Sequence, residues 1–342
     1  MISCYALILP DSTRSANCFR PTARNDRKRP RCPLEPNRFA TDGTWIPPSM
    51  LLPAPGCCGK VKARAGECLT PNMIPSFFDT HAHLDFPDFA QDLAEVLTRA
   101  EAAGVRRIIT IGTDLPSSAR AVELAERHPQ IFAVVGWHPS HASEAPSDIR
   151  EPLRALAVHP KVVAIGETGL DYCRLPSKHG EGSVEDDLRH KEKQAALFEQ
   201  QLEIAAETGL NCVVHQREAF QPVLDQMRPF AGRLRGVFHC FVNDVAEMRQ
   251  VLALGCLVSF TGILTFKSAA NVRATLAETP RDQFMLETDC PYLAPVPYRG
   301  KRCEPAHVRD TATVAAQVKG LSLEELSEST CATARRFFPK LT

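Results

Sequence analysis

Six side chains in this sequence have the types and spacing to hold metal ions. His81 and His83 stand as His-x-His directly behind the apolar run 77–80. In extended chain, residues i and i+2 point the same way, so both imidazoles can face one volume. Glu167 follows the apolar run 162–165, His215 follows 211–214, His239 ends 236–239, and Asp289 follows the run 284–288. One such histidine is ordinarily a hydrogen-bonded core residue. Six of these groups, each at the end of an apolar run, require another explanation. Four imidazoles and two carboxylates without cysteine suit zinc, manganese or a similar divalent ion.

The elements that must position them read as alternating strands and helices. Strands are expected at 77–80, 107–111, 131–135, 162–165, 211–214, 236–239, 256–260 and 284–288. Helical periods fall at 92–103, 119–127, 190–208, 246–254 and 270–278. Alternation of this kind implies βα units and a parallel sheet. Eight units over about 250 residues match a closed (β/α)₈ TIM barrel, whose sites lie at the carboxyl ends of the strands. All six candidates fall at that end. An open doubly wound sheet would need a glycine-rich phosphate loop after its first strand. Here that place reads His-Ala-His-Leu-Asp. His128 and His159, each before a proline that ends a helix, lie at the opposite end and read as punctuation.

Composition separates two regions. Residues 1–72 carry ten prolines, six cysteines and 11 Lys+Arg against 5 Asp+Glu, with neither helical nor strand period. Such a segment buries too little apolar surface to offset ordering entropy. We expect a disordered or poorly packed extension over 1–72 and a barrel over 73–342, with Met73 as a candidate translation start. A transit peptide or a basic nucleic-acid-binding arm are the other readings of the extension. The remainder is acidic, 29 basic against 35 acidic residues, which argues against a long electrostatic grip on duplex DNA. The 13 cysteines include no CxxC pair, so neither a zinc ribbon nor a disulfide framework is indicated. Free thiols and the lack of a long apolar run point to a cytoplasmic protein without a membrane span.

Beyond single residues, runs of sequence carry a resemblance. Phe78-Asp79-Thr80-His81-Ala82-His83-Leu84-Asp85, Gly136-Trp137-His138-Pro139, Ile165-Gly166-Glu167-Thr168-Gly169-Leu170-Asp171-Tyr172, His215-Gln216-Arg217-Glu218-Ala219, His239-Cys240-Phe241 and Glu287-Thr288-Asp289-Cys290-Pro291-Tyr292-Leu293 resemble, in order, the motifs of the TatD family. The likeness runs from about Met73 to near the end. It implies two divalent ions (Mg²⁺, Mn²⁺ or Zn²⁺) and hydrolysis of DNA phosphodiesters, often from the 3′ end of single-stranded or frayed substrate. It also implies that His81, His83 and Asp289 bind one ion, that His215 and His239 bind the second, and that Glu167 bridges them. Glu167 and Asp289 are then the catalytic pair, with Asp289 accepting the proton of the attacking water. No obligate protein partner is implied. Two departures stand out: Val242-Asn243 replaces a small residue and glycine, and Cys303 replaces a common asparagine.

Other residues have weaker claims. His138, Arg217, Lys267 and Arg302 are candidate phosphate contacts, each with an ordinary loop or surface role as the alternative. Asp79 and Glu287 sit one layer deeper, where a structural hydrogen-bonding role is expected. The Gly-, Ser- and acid-rich segment after Tyr172, through Asp187, reads as a mobile loop beside the site. The same metals would also serve an ester or amide substrate such as a misacylated tRNA, because fold and metals do not fix the scissile bond.

Overall fold

Parallel strands covered on both faces are short, nearly unbroken apolar runs, and that is what the chain supplies. The computed structural model describes residues 75–341; the expectations for residues 1–72 and for a start at Met73 lie outside the described residues. The strands are β1 (Phe77–Ala82), β2 (Val105–Ile111), β3 (Ile131–Val135), β4 (Val162–Asp171), β5 (Asn211–Arg217), β6 (Gly236–Phe238), β7 (Leu257–Phe260) and β8 (Phe284–Leu286). They pair in chain order, every neighbour parallel. The chain returns between them through α1 (Leu93–Ala102), α2 (Leu115–Arg127), α3 (Arg150–Ala157), α4 (Val184–Thr208), α5 (Phe220–Met227), α6 (Val245–Ala253) and α7 (Ala270–Glu278). After β8 come α8 (Val308–Lys319) and α9 (Leu323–Phe337). The expected (β/α)₈ barrel is therefore the fold. No helix among the described residues is long and apolar enough to cross a membrane.

One apolar cluster takes Phe78, Ile109, Phe132, Val163, Val213, Val237, Leu257 and Met285, one from each strand. Only the lumen is reached by all eight. Phe337 and Phe338, at the end of α9, join the same cluster, so this helix caps the lumen opposite the expected site. The second cluster packs the strands' outer faces on the helices.

The seam between β1 and β8 is closed by hydrogen bonds around the candidate residues themselves. The Asp289 N–H donates to the His81 carbonyl and the His83 N–H to the Cys290 carbonyl, both at 2.8 Å. Below them the Asp79 carboxyl accepts from the Thr288 N–H at 2.9 Å and meets the Thr288 hydroxyl at 2.6 Å. The deeper Asp79 is thus a seam residue.

Several boundaries differ from the sequence reading, and three of the differences have a visible cause. Helix α2 begins at Leu115, four residues early, because the Asp114 carboxylate caps it through the Ser117 N–H at 2.7 Å. Helix α4 begins at Val184, because Ser183 and Asp186 form a capping box. The segment after Tyr172 is therefore partly ordered: residues 184–187 are helix, Pro176–His179 is a 3₁₀ turn, and Asp187 holds the Ser177 N–H at 2.9 Å. Acidic residues that look like solvated loop are the helix's own first turn, where its dipole favours them. Finally, β4 runs on to Asp171 instead of stopping at 165. It can do so because Gly169 lacks a Cβ, which would stand 2.0 Å from the His215 carbonyl oxygen on β5.

Burial raises the Asp79 carboxyl to about 8 against the hydrogen bonds from Thr288, so it is largely protonated at neutral pH. A folded-state value above the unfolded one means stability is fully present below about pH 4 and is lost as pH rises toward 8. Asp79→Asn keeps both bonding roles without that loss, so it should gain on the parent as pH is raised through this window. Asp79→Ala should lose about 1–3 kcal/mol at any pH by orphaning the Thr288 N–H. Urea denaturation of the three proteins at pH 5 and pH 8 checks both; a pH-independent gap between Asn and Asp would contradict the assignment.

Candidate metal centre

At the carboxyl end of the barrel the six candidates meet. His81 Nε2 lies 3.3 Å from His83 Nε2, 3.3 Å from Glu167 Oε2 and 3.6 Å from Asp289 Oδ1. His83 Nε2 is 3.4 Å from Asp289 Oδ1 and 3.8 Å from Glu167 Oε2. The other carboxylate oxygen faces a second set. Glu167 Oε1 is 2.8 Å from both His215 Nδ1 and His239 Nε2, and 3.3 Å from His138 Nε2. His138 Nε2 and His215 Nδ1 are 3.2 Å apart. The sequence reading placed His138 with the phosphate contacts; the structure puts its ring among the donor atoms. The signal was present, since His138 also ends a strand run.

These donors fit cations. Four ligands about 2.0 Å from a tetrahedral ion stand roughly 3.3 Å from one another, close to the separations in the first set. Groups His81–His83–Asp289, His81–Glu167–His239 and His138–Glu167–His215 each offer three ligand atoms within 4.8 Å of one another. All but His138 are buried. Moreover, His81 Nδ1 and Asp289 Oδ2 are buried without a hydrogen-bond partner among the described residues. Protein alone does not satisfy this cluster.

Protons show where positive charge is wanted. Burial pushes the Glu167 carboxyl up, but His239, His138 and His81 together hold it well below the usual range. Burial likewise raises Asp289, and the bond from His83 and the charge on His81 reverse it. Burial lowers His83, yet Asp289 lifts it to about 9; Asp171 and Glu167 do the same for His215. His239 is also raised, by Glu167, against burial. His81 and His138 are pulled down to about 4, burial being the main cause. Imidazolium protons here do what a divalent ion would do.

The family model described as TatD related DNase matches residues 78–339. The chain belongs to the TatD family. It is 37% identical over 262 residues to a protein of Bacillus subtilis named as an uncharacterized metal-dependent hydrolase, covering 76% of this chain and 98% of that one. It is 34% identical over 268 residues to an Erwinia tasmaniensis protein named 3′-5′ ssDNA/RNA exonuclease, with 76% and 99% covered. Among solved structures, a TatD homologue from Escherichia coli matches with TM-score 0.70 and 28% identity over 78% of this chain and 99% of that one. This chain is a metal-dependent hydrolase.

In this TatD-family barrel the donors are held from behind. Asp171 Oδ2 stands 3.4 Å from His215 Nε2, and Glu287 Oε1 3.8 Å from His239 Nδ1. Carboxylates in that position orient ligating imidazoles. Glu287 is fixed by the Cys240 N–H at 2.6 Å and the Ser259 hydroxyl at 2.7 Å. Cys240 and Asp289 have positive φ, 47° and 57°, in the left-handed region that non-glycine residues avoid. Both sit where a strand must turn sharply to aim a donor. From α4 two glutamines seven residues apart, hence on one helix face, grip the loops. Gln201 accepts from the Trp137 N–H at 2.7 Å and donates to its carbonyl at 3.0 Å. Gln194 does the same for Asp171 at 2.9 and 3.0 Å.

The basic candidates are placed differently from one another. Arg217 ends β5, and its charge acts on the Asp171 carboxyl. Lys267 is exposed on the loop before α7. Arg302 is engaged elsewhere: its guanidinium bonds Asp92 at 2.8 and 2.6 Å and covers the Phe89 ring. A phosphate at Arg302 would have to compete with Asp92, so it reads as a brace between the last loop and α1. Cys303 is buried, its N–H on the Pro291 carbonyl.

Gln201→Leu should orphan both backbone groups of Trp137, at about 1–3 kcal/mol each. Thermal denaturation should show the loss, and a change under 0.5 kcal/mol would refute the clamp.

Proposed function

We propose that this chain is a 3′-5′ exodeoxyribonuclease that binds two divalent ions and acts on single-stranded or frayed DNA ends. One observation carries the reading: the two oxygens of Glu167 face two separate donor sets. His81, His83 and Asp289 would hold one ion, His215 and His239, with His138 beside them, the other, and Glu167 would bridge. When bound, such a pair supplies an activated water and neutralises charge on the phosphoryl oxygens. The chain's own work is to place the ions, exclude bulk water and move a proton. Asp289 Oδ2 is buried with no hydrogen-bond partner among the described residues, which suits it to take the water's proton. Names of relatives at about one third identity support nucleic-acid ends as the substrate.

Asp289→Asn and Glu167→Gln should each lower turnover on end-labelled single-stranded DNA roughly a hundred- to ten-thousand-fold. Near-parental activity in either folded variant would remove that residue from the mechanism. Release of an ester from mischarged tRNA, without loss of the labelled DNA, would overturn the substrate assignment.

The raised histidines give a second check. Ligands must be deprotonated to bind metal, and the carboxylates around His83 and His215 raise both to about 9, so that each holds a proton at neutral pH. Adding Zn²⁺ or Mn²⁺ to metal-free protein in weak buffer at pH 7 should release more than one proton per chain. Ion uptake with no acidification would mean that the ions bind elsewhere.

A further inference from the structure

Two aromatic rings flank the first donor set. Phe86 and Tyr292 each stand three residues beyond a donor, His83 and Asp289, on opposite sides of the β1–β8 seam. Their backbones are tied to those donors: the Phe86 N–H donates to the His83 carbonyl at 3.2 Å, and the Tyr292 N–H to the Asp289 carbonyl at 3.0 Å. The Phe86 ring stacks on the His83 imidazole, centroids 4.7 Å apart and planes at 22°. Tyr292 stands edge-on to both, 6.3 Å from Phe86 at 79° and 6.5 Å from His83 at 66°. Both rings are half-buried, so each keeps surface open at the mouth.

The turn beneath Phe86 is rigid. Asp85 is held by the Ser117 hydroxyl at 2.7 Å and by Arg120 at 3.0 Å. The Tyr292 hydroxyl makes no hydrogen bond among the described residues. A corner of two rings, beside a cluster whose donors fit cations, matches what single-stranded nucleic acid presents: a flat base next to a phosphate.

We propose that Phe86 and Tyr292 form a stacking subsite for the base of the terminal nucleotide whose phosphate lies at His81, His83 and Asp289. This rests on the nuclease reading above and adds to it. Every base has a π face, so the subsite takes any sequence; a paired base, already stacked in its duplex, must first be freed. The site therefore selects unpaired ends without reading sequence.

The test compares two single-stranded oligonucleotides on the metal-loaded protein, one ending in a normal 3′ nucleotide and one in an abasic 3′ residue. The parent should prefer the first by roughly five- to a hundredfold in kcat/KM, the range expected of one base–aromatic stack. Phe86→Ala, Phe86→Leu and Tyr292→Ala should bring that ratio toward one, and Phe86→Trp should retain it. With 2-aminopurine at the 3′ end and Asp289→Asn to prevent cleavage, binding should quench fluorescence, and Phe86→Ala should abolish the quench. If Phe86 merely packs on His83, its variants slow both oligonucleotides alike and the ratio stays; that overturns the subsite. Equal cleavage of both by the parent also overturns it while leaving the nuclease reading intact. Failure to bind or cleave either overturns both.

Discussion

A single buried carboxylate governs the mouth of this barrel. Glu167 turns one oxygen to His81 and His83 and the other to His138, His215 and His239. An ionised group so far from water is tolerated only when surrounded by positive charge or hydrogen-bond donors. The surroundings follow from that need. Strand β4 must approach β5 closely enough to present Glu167 to both sides, so glycine stands at 169, where any Cβ would strike the His215 carbonyl. The imidazoles must be held at fixed angles, so Asp171 and Glu287 stand behind two of them. Each support is a buried polar group in its own right, and each is in turn braced by another.

The site joins residues about 200 positions apart in sequence, which makes closure of the barrel part of its chemistry. Across the seam the backbone of His81 bonds that of Asp289, and the backbone of His83 bonds that of Cys290. Loosening β1 from β8 would separate the first donor set before it disturbed the second, whose histidines follow neighbouring strands. Asp79 and Thr288 reinforce the seam from below. The rings proposed to stack a base stand on the same seam, so the geometry that fixes the metal ligands would also fix the distance from metal to base.

How much of this could be read beforehand depended on whether a residue's role was periodic. The donors were legible because strand ends are legible: apolar runs stop, and a histidine or carboxylate follows. Asp171 was harder, although four residues past Glu167 in extended chain puts it on the same face. It was obscured because β4 seemed to end at its first glycine. Gln194 and Gln201 were illegible, since a glutamine on a long polar helix looks solvated, and only the tertiary contact shows it gripping backbone. Arg302 is ambiguous for the converse reason: a basic residue in a loop after β8 fits a phosphate as well as it fits Asp92, and the sequence does not reveal that Asp92 is near.

Substrate choice is a separable layer of the molecule. Metals held by the strand-end donors would supply a hydrolytic centre that a phosphodiester, a carboxylic ester or an amide could use. What narrows it must come from loops beyond the donors. The acidic start of α4 and the acid excess of residues 73–342 oppose a long duplex lying across the mouth, because such binding is driven by neutralising many phosphates. They do not oppose one strand end, whose terminal phosphate would meet bound cations and whose base would meet apolar surface. A barrel whose donors are flanked by two half-buried aromatic rings is therefore better suited to gripping the end of a nucleic acid than its length.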